Sequence, residues 1–168
     1  MEEWDGYFSD LADSVAKKSR DPACKVGAVI VRDKLVLATG YNGIARNVPD
    51  DIEILGDRAQ KLAWICHAEQ NAVCNAARIG VPCVGASIYV NKFPCFQCLQ
   101  TVIQAGISKI VTTDTEFWEH DPIDPTGEGK KYVIKAAGLE ICAPNFDGWR
   151  PSPPKLKVGP QAPADGPL

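Results

Sequence analysis

Apolar residues recur at helical spacing through Trp4, Tyr7, Phe8, Leu11 and Val15, with Ala12 and Ala16 beside them. That pattern predicts an amphipathic first helix, stopped by Asp21-Pro22. Two short apolar runs, Val26 to Val31 and Leu35 to Thr39, flank Arg32-Asp33-Lys34 and predict a β-hairpin. A turn-rich stretch follows from Tyr41-Asn42-Gly43 to Pro49-Asp50-Asp51, and residues 53–64 fit either a short helix or a loop. Small and helix-forming residues dominate from Cys66 to Ile79, with Gly80 as a stop. Ala86 to Val90 predicts a third strand, and Pro94 opens a helix to Ala105, capped by Gly106. Ile107 to Thr112 is a fourth strand. A loop over 114–127 leads to a helix over 128–137, ended by Gly138, and Leu139 to Cys142 is a fifth strand.

Strand and helix alternate after residue 66, which favours parallel strands joined by crossover helices and one sheet covered on both faces. At 168 residues the chain suits a single domain, with 45% hydrophobic and 23% charged residues. Residues 1–150 are expected to form the catalytic domain. The last 18 residues hold six prolines and two glycines, so 151–168 are expected to be a Pro-rich C-terminal tail.

The net charge of −3 argues for a small-molecule partner over a long nucleic acid, which usually calls for a basic excess. No run approaches the ~20 apolar residues of a membrane span. The opening Met1-Glu2-Glu3-Trp4-Asp5 is acidic where a secretory signal is basic and then apolar, so the expectation is cytoplasmic. In a reducing compartment the seven cysteines read as two metal ligands plus five small hydrophobes, not as disulfides. Cys24, Cys66, Cys74, Cys83 and Cys142 are expected to be buried, with Cys66 pointing away from any metal at its neighbour His67.

The chemistry concentrates in His67-Ala68-Glu69 and Pro94-Cys95-Phe96-Gln97-Cys98. This is the H-x-E…P-C-x-x-C arrangement of zinc-dependent cytosine and adenine deaminases. One histidine and two thiolates leave Zn²⁺ a fourth position for water, the mark of a catalytic site. Zinc lowers the pKa of that water to about 7, and a carboxylic acid must then carry its proton to the leaving amine. Glu69 is placed for that task. Cys95 and Cys98, at i and i+3 of a predicted helix start, share a face and gain from its dipole. Twenty-seven residues separate His67 from Cys95, enough for a helix, a strand and two turns. Taken singly, an H-x-E is more often structural, and a C-x-x-C fits a redox pair or half a structural zinc site. No second C-x-x-C and no histidine besides His120 is present to complete a zinc finger.

Beyond these motifs the chain resembles the deoxycytidylate (dCMP) deaminases of the cytidine deaminase-like superfamily. The resemblance rests on Trp4-Asp5-Gly6-Tyr7-Phe8, Lys18-Ser19-Arg20-Asp21-Pro22, Lys25-Val26-Gly27-Ala28-Val29-Ile30-Val31, Gly40-Tyr41-Asn42-Gly43, Cys66-His67-Ala68-Glu69-Gln70-Asn71-Ala72 and Ile103-Gln104-Ala105-Gly106-Ile107. Together these cover most of residues 4–113. Cytidine deaminases of free nucleosides usually carry cysteine where His67 stands, and transfer-RNA adenosine deaminases generally lack the Asn71-Ala72 continuation. The resemblance implies a three-layer α/β/α cytidine deaminase-like fold with a five-stranded mixed sheet. It implies His67, Cys95 and Cys98 as Zn²⁺ ligands and Glu69 as proton shuttle. It further implies that Asn42 contacts the sugar and the Ala68 backbone the pyrimidine of a small pyrimidine nucleotide. Family members commonly form homo-oligomers, often hexamers, and many longer ones respond to dCTP and dTTP. Asn42 also has a purely structural reading, because Asn-Gly favours tight turns.

One segment departs from the family. Where a tyrosine and a basic or polar residue usually follow the fourth strand, residues 114–124 carry five acids and only His120 as a cation. Acids repel a phosphate, so the expectation is a solvated acidic loop facing away. Phe117 or Trp118 could stack on the base or serve as packing anchors. Phosphate is then left to Lys25, Arg20, Arg46 or a neighbouring subunit, each cation also readable as solvated surface charge. The function this resemblance implies is zinc-dependent hydrolysis of dCMP to dUMP and ammonia. The alternatives are a free base, nucleoside or modified cytosine nucleotide as substrate, or a non-catalytic zinc-stabilised nucleotide-binding protein.

Overall fold

The computed structural model describes residues 3–49, 56–114 and 121–143. Helix α1 (Glu3–Ala16) leads to the hairpin β1 (Gly27–Arg32) and β2 (Leu35–Tyr41), then the short strand β3 (Gly43–Ile44). Helix α2 (Arg58–Trp64) runs into the short strand β4 (Ile65–Cys66) and helix α3 (Ala68–Arg78). Strand β5 (Ser87–Val90), helix α4 (Phe96–Gln104), strand β6 (Lys109–Thr112), helix α5 (Glu128–Ala137) and strand β7 (Glu140–Cys142) complete the order.

Among the described residues a five-stranded mixed sheet has the order β2-β1-β5-β6-β7. Strand β1 is antiparallel to both β2 and β5, whereas β5, β6 and β7 are parallel, as the helical crossovers require. The hairpin turns on Asp33 and Lys34, with φ of 54° and 63°, the left-handed pair that matches strand twist.

Strand β1 shows why helices cover both faces. Its alternate residues Val29 and Val31 pack with Phe8 and Ala12 of α1. Ala28 and Ile30 point the other way, into a core with Ala68, Ala72 and Ala76 of α3, Leu99 and Val102 of α4 and Ile134 of α5. A strand buried on both sides reads as a continuous apolar run, as Val26 to Val31 does. The expected three-layer α/β/α architecture is the observed one.

Local differences have local causes. Residues 58–64 are helical, opened by the Asp57 carboxylate, which accepts the Gln60 N–H at 2.8 Å. The helix expected from Cys66 starts two residues later, because Ile65 and Cys66 pair with Ile44 and Gly43. The helix expected from Pro94 starts at Phe96, with Cys95 as its N-cap. Two cysteine expectations fail: Cys24 and Cys74 are exposed. Cys74 sits half a turn away from the buried Ala72 and Ala76, on the solvent side of α3. Cys66 and Cys142 are half-buried, and Cys83 is buried as expected. No helix among the described residues is long and apolar enough to cross a membrane.

Candidate active site

Two helix N-termini converge on one cavity. His67 is the extended N-cap of α3, with φ −73° and ψ 156°, and its N–H donates to Gln70 Oε1 at 3.3 Å. The helix is pinned to the sheet by its own amides. Asn71 Nδ2 donates to Tyr41 O and Asn75 Nδ2 to Thr39 O, each at 2.8 Å. Gly40 of β2 faces the α3 backbone at Ala68 and Ala72 so closely that a β-carbon has no room. That close approach sets the height of His67 and Glu69 above the sheet.

Helix α4 delivers Cys95 at its N-cap and Cys98 in its first turn. His67 Nδ1 lies 3.5 Å from Cys95 Sγ and 3.3 Å from Cys98 Sγ, and the three atoms fall within 4.8 Å of one another. Zinc–sulfur and zinc–nitrogen bonds of about 2.3 and 2.0 Å at tetrahedral angles require edges of about 3.5–3.8 Å. The donor set therefore fits a tetrahedral cation with one corner left for solvent. Cys66, though adjacent to His67, is not in the cluster.

Crowding the three donors together shifts their protonation in opposite directions. The Cys95 thiol is drawn down to about 4, chiefly by its hydrogen bond with Cys98 and then, against burial, by His67. Cys98 is pushed up by the Cys95 contact and by burial. His67 is raised, mainly by its contact with Cys95. A ready-made thiolate beside an imidazole is what a soft dication binds.

Glu69, in the first turn of α3, is 3% exposed and outside the three-donor cluster. Burial pushes its carboxyl up to about 7, opposed by its own backbone N–H and by the charge of His67. It meets the Cys98 thiol directly. A carboxyl that is half-ionised near neutrality can both accept and give a proton there.

The cavity holds about 440 Å³, within the usual range for small-molecule sites, and is lined by His67, Ala68, Glu69, Cys95 and Asn42 among others. Asn42 is buried and heavily engaged. Its Oδ1 accepts from Val26 N at 2.8 Å, while Nδ2 donates to Cys24 O at 2.8 Å and Asp21 Oδ2 at 3.4 Å. With both amide hydrogens committed, only a lone pair on Oδ1 remains, so Asn42 can accept from a ligand hydroxyl but not donate.

Sequence reasoning missed the cations. Lys25 is exposed and stands outside the cavity lining, whereas Lys61, Lys92 and Lys130 are part of it. Lys61 pairs with Asp21 at 3.1 Å, Lys130 with Asp121 at 3.0 Å and Lys92 with Asp114 at 3.7 Å. Arg46 is bonded to Asn75 at 3.0 Å and, like Arg20, is not in the lining. At its described positions the expectation of a solvated acidic loop facing away is corrected: Asp121 and Asp124 are buried, and Asp114 and Asp121 line the cavity. These acids bind backbone N–H groups, of Phe93 by Asp114, Phe96 by Asp121 and Lys130 by Asp124. The Asp-Pro pairs at 21 and 121 signalled only the local bonds, from Ala23 N–H to Asp21 and from Ile123 N–H to Asp121. Trp118, with Phe117 and His120, lies outside the described residues.

Residues 2–114 match the family model for the cytidine and deoxycytidylate deaminase zinc-binding region. A deoxycytidylate deaminase from Mus musculus is 34% identical over 143 residues, covering 82% of this chain and 77% of the relative. The corresponding protein from Homo sapiens is 35% identical over 125 residues, covering 71% and 69%. In fold, the chain is similar to the dCMP deaminase of cyanophage S-TIM5 in complex with dCMP and dUMP. The TM-score is 0.70 at 24% identity, over 86% of this chain and 98% of that one.

Proposed function

The chain belongs to the cytidine and deoxycytidylate deaminase family, and on that premise we propose that it hydrolyses dCMP to dUMP and ammonia. The observation that carries the reading is the buried Glu69 carboxyl set against the His67, Cys95 and Cys98 donors in one nucleotide-sized cavity. His67, Cys95 and Cys98 would hold zinc, which when bound supplies the attacking hydroxide by acidifying a water.

Glu69 takes one proton from that water and gives it to the ring nitrogen, then takes the second from the hydroxyl newly bonded to the ring carbon and gives it to the amino group, which leaves as ammonia. Burial raises the Glu69 carboxyl to about 7, close to the value of a zinc-bound water, so it is matched to the first proton it must accept. The Ala68 N–H, in the first turn of α3, has no acceptor within its helix and is available to the pyrimidine carbonyl. Asn42 Oδ1 accepts from a sugar hydroxyl. The same reading assigns the catalytic domain to residues 1–150 and a tail to 151–168, and makes the protein a cytoplasmic homo-oligomer, with dCTP and dTTP as candidate regulators.

The test follows ultraviolet absorbance during turnover of dCMP, deoxycytidine, cytosine and a 5-substituted dCMP by the zinc-loaded protein. Preferred turnover of dCMP is expected. Efficient deamination of deoxycytidine with none of dCMP overturns the substrate assignment while leaving the chemistry intact.

A further inference from the structure

The nucleotide reading requires a cation for the 5′-phosphate, and the cavity offers three lysines, each facing an aspartate. Two of these pairs are closed. Lys61 and Asp21 have side chains 13% and 4% exposed, and the 3.1 Å contact is a hydrogen bond. Lys130 and Asp121 are 3% exposed on both sides at 3.0 Å. Moving either lysine to a ligand strips a buried carboxylate of its counter-charge, a costly exchange.

Lys92 is different. Its side chain is 51% exposed, and its ammonium stands 3.7 Å from Asp114 Oδ1, beyond hydrogen-bonding distance. Asp114 stays anchored without it, because Oδ2 accepts the Phe93 N–H at 3.0 Å. Lys92 also sits on the turn between β5 and α4, three residues before Cys95, so it is carried on the segment that presents the metal donors. No hydrogen bond to Asp114 holds the Lys92 ammonium, so its N–H groups can turn to a phosphate without breaking one. Asp114 beside it serves as a resting partner that holds the flexible stem at the cavity.

We propose that Lys92 is the cation that recognises the substrate's phosphate monoester, and so sets the preference for nucleotide over nucleoside. The proposal rests on the dCMP reading above. The two fail differently.

The experiment measures kcat/KM of the zinc-loaded enzyme for dCMP and deoxycytidine, in wild type, Lys92→Gln and Lys92→Arg, at low and high salt. Lys92→Gln is expected to lower the dCMP-to-deoxycytidine ratio about tenfold, through KM, as fits loss of one partly exposed charge-assisted contact. Lys92→Arg should retain most of the ratio, and high salt should erode it in wild type but less in Lys92→Gln. A ratio unchanged in Lys92→Gln, or a fall equally large in Lys92→Arg, overturns the proposal. If wild type turns over neither compound, the dCMP reading fails. Calorimetric binding of dUMP against deoxyuridine then decides Lys92: loss of the dUMP preference in Lys92→Gln supports it, and an unaltered preference overturns it.

Discussion

The Asp121 carboxylate accepts the backbone N–H of Phe96 at 2.8 Å, reaching across 25 residues to cap helix α4. The helix needs an outside cap because Cys95, at the N-cap position, makes no side-chain cap bond and faces His67 instead. Asp121 also holds Lys130 at 3.0 Å, so one buried acid ties α4, α5 and the donor cluster together. Removing it as Asp121→Ala should cost about 3 kcal/mol, since a buried ammonium loses its counter-charge and a helix its cap. Burial acts to raise the pKa of Asp121, but the bonds from Phe96, Lys130 and Ile123 hold it below the usual carboxylate range. Its contribution is therefore present above about pH 4 and is lost as pH falls through the depressed value. Urea melts of wild type and variant should differ at pH 7 and converge in strong acid.

Glu69→Gln should retain zinc by elemental analysis yet lose about 10²- to 10⁴-fold in kcat, because an amide cannot relay a proton. Loss of zinc as well would make Glu69 part of the metal-holding set.

The same substitution has a pH signature in the chelator-treated protein. Burial raises the Glu69 carboxyl from an ordinary 4.5 to about 7. Below the unfolded value both states are protonated. As pH climbs toward 7 the unfolded chain sheds its proton first, so folding is penalised. The penalty levels off above 7 at about 3 kcal/mol. Glu69→Gln should thus match wild type at pH 4 and exceed it at pH 8, as read by thermal denaturation at each pH.

Gly40→Ala changes one hydrogen to a methyl outside the cavity lining, but it drives a β-carbon into the α3 backbone at Ala68 and Ala72. Backbone cannot swing aside as a side chain can. We expect a loss of about 3 kcal/mol or more, with reduced zinc content, because α3 must lift and carry His67 with it. A variant with unchanged melting temperature and metal content would show that α3 is free to shift.

Thiol labelling should separate the cysteines by environment. Cys24 and Cys74 are exposed and should react first in the zinc-loaded protein. Chelation should abolish turnover and add Cys95, whose low pKa makes it a thiolate at neutral pH. Zinc, added before labelling, should restore both activity and protection.

Much of this architecture was legible in residue order. Gly138 ends α5 where expected, at φ 66°, because only glycine takes the left-handed cap without strain. The apolar run Val26 to Val31 predicted the first strand of a hairpin, and β1 forms there. The spacing of His67, Glu69, Cys95 and Cys98 anticipated a shared site, because two helix starts on neighbouring crossovers open at the same end of a sheet. Less legible were Cys74, whose exposure depends on the phase of α3, and Asp114, Asp121 and Asp124, which looked solvated but bind backbone.

Sequence by itself thus determined the elements, their order and the donor chemistry, since dihedral limits, periodicity and capping act over a few residues. Tertiary structure alone decided which charges face the cavity: Lys61, Lys92 and Lys130 enter it and Lys25 does not. It also decided that Asp21 and Asp121 spend their charge on distant partners, Lys61 and Phe96. Lysine and aspartate carry no register of their own. Their partners are set by which segments the packed core brings together, and that is a property of the whole chain.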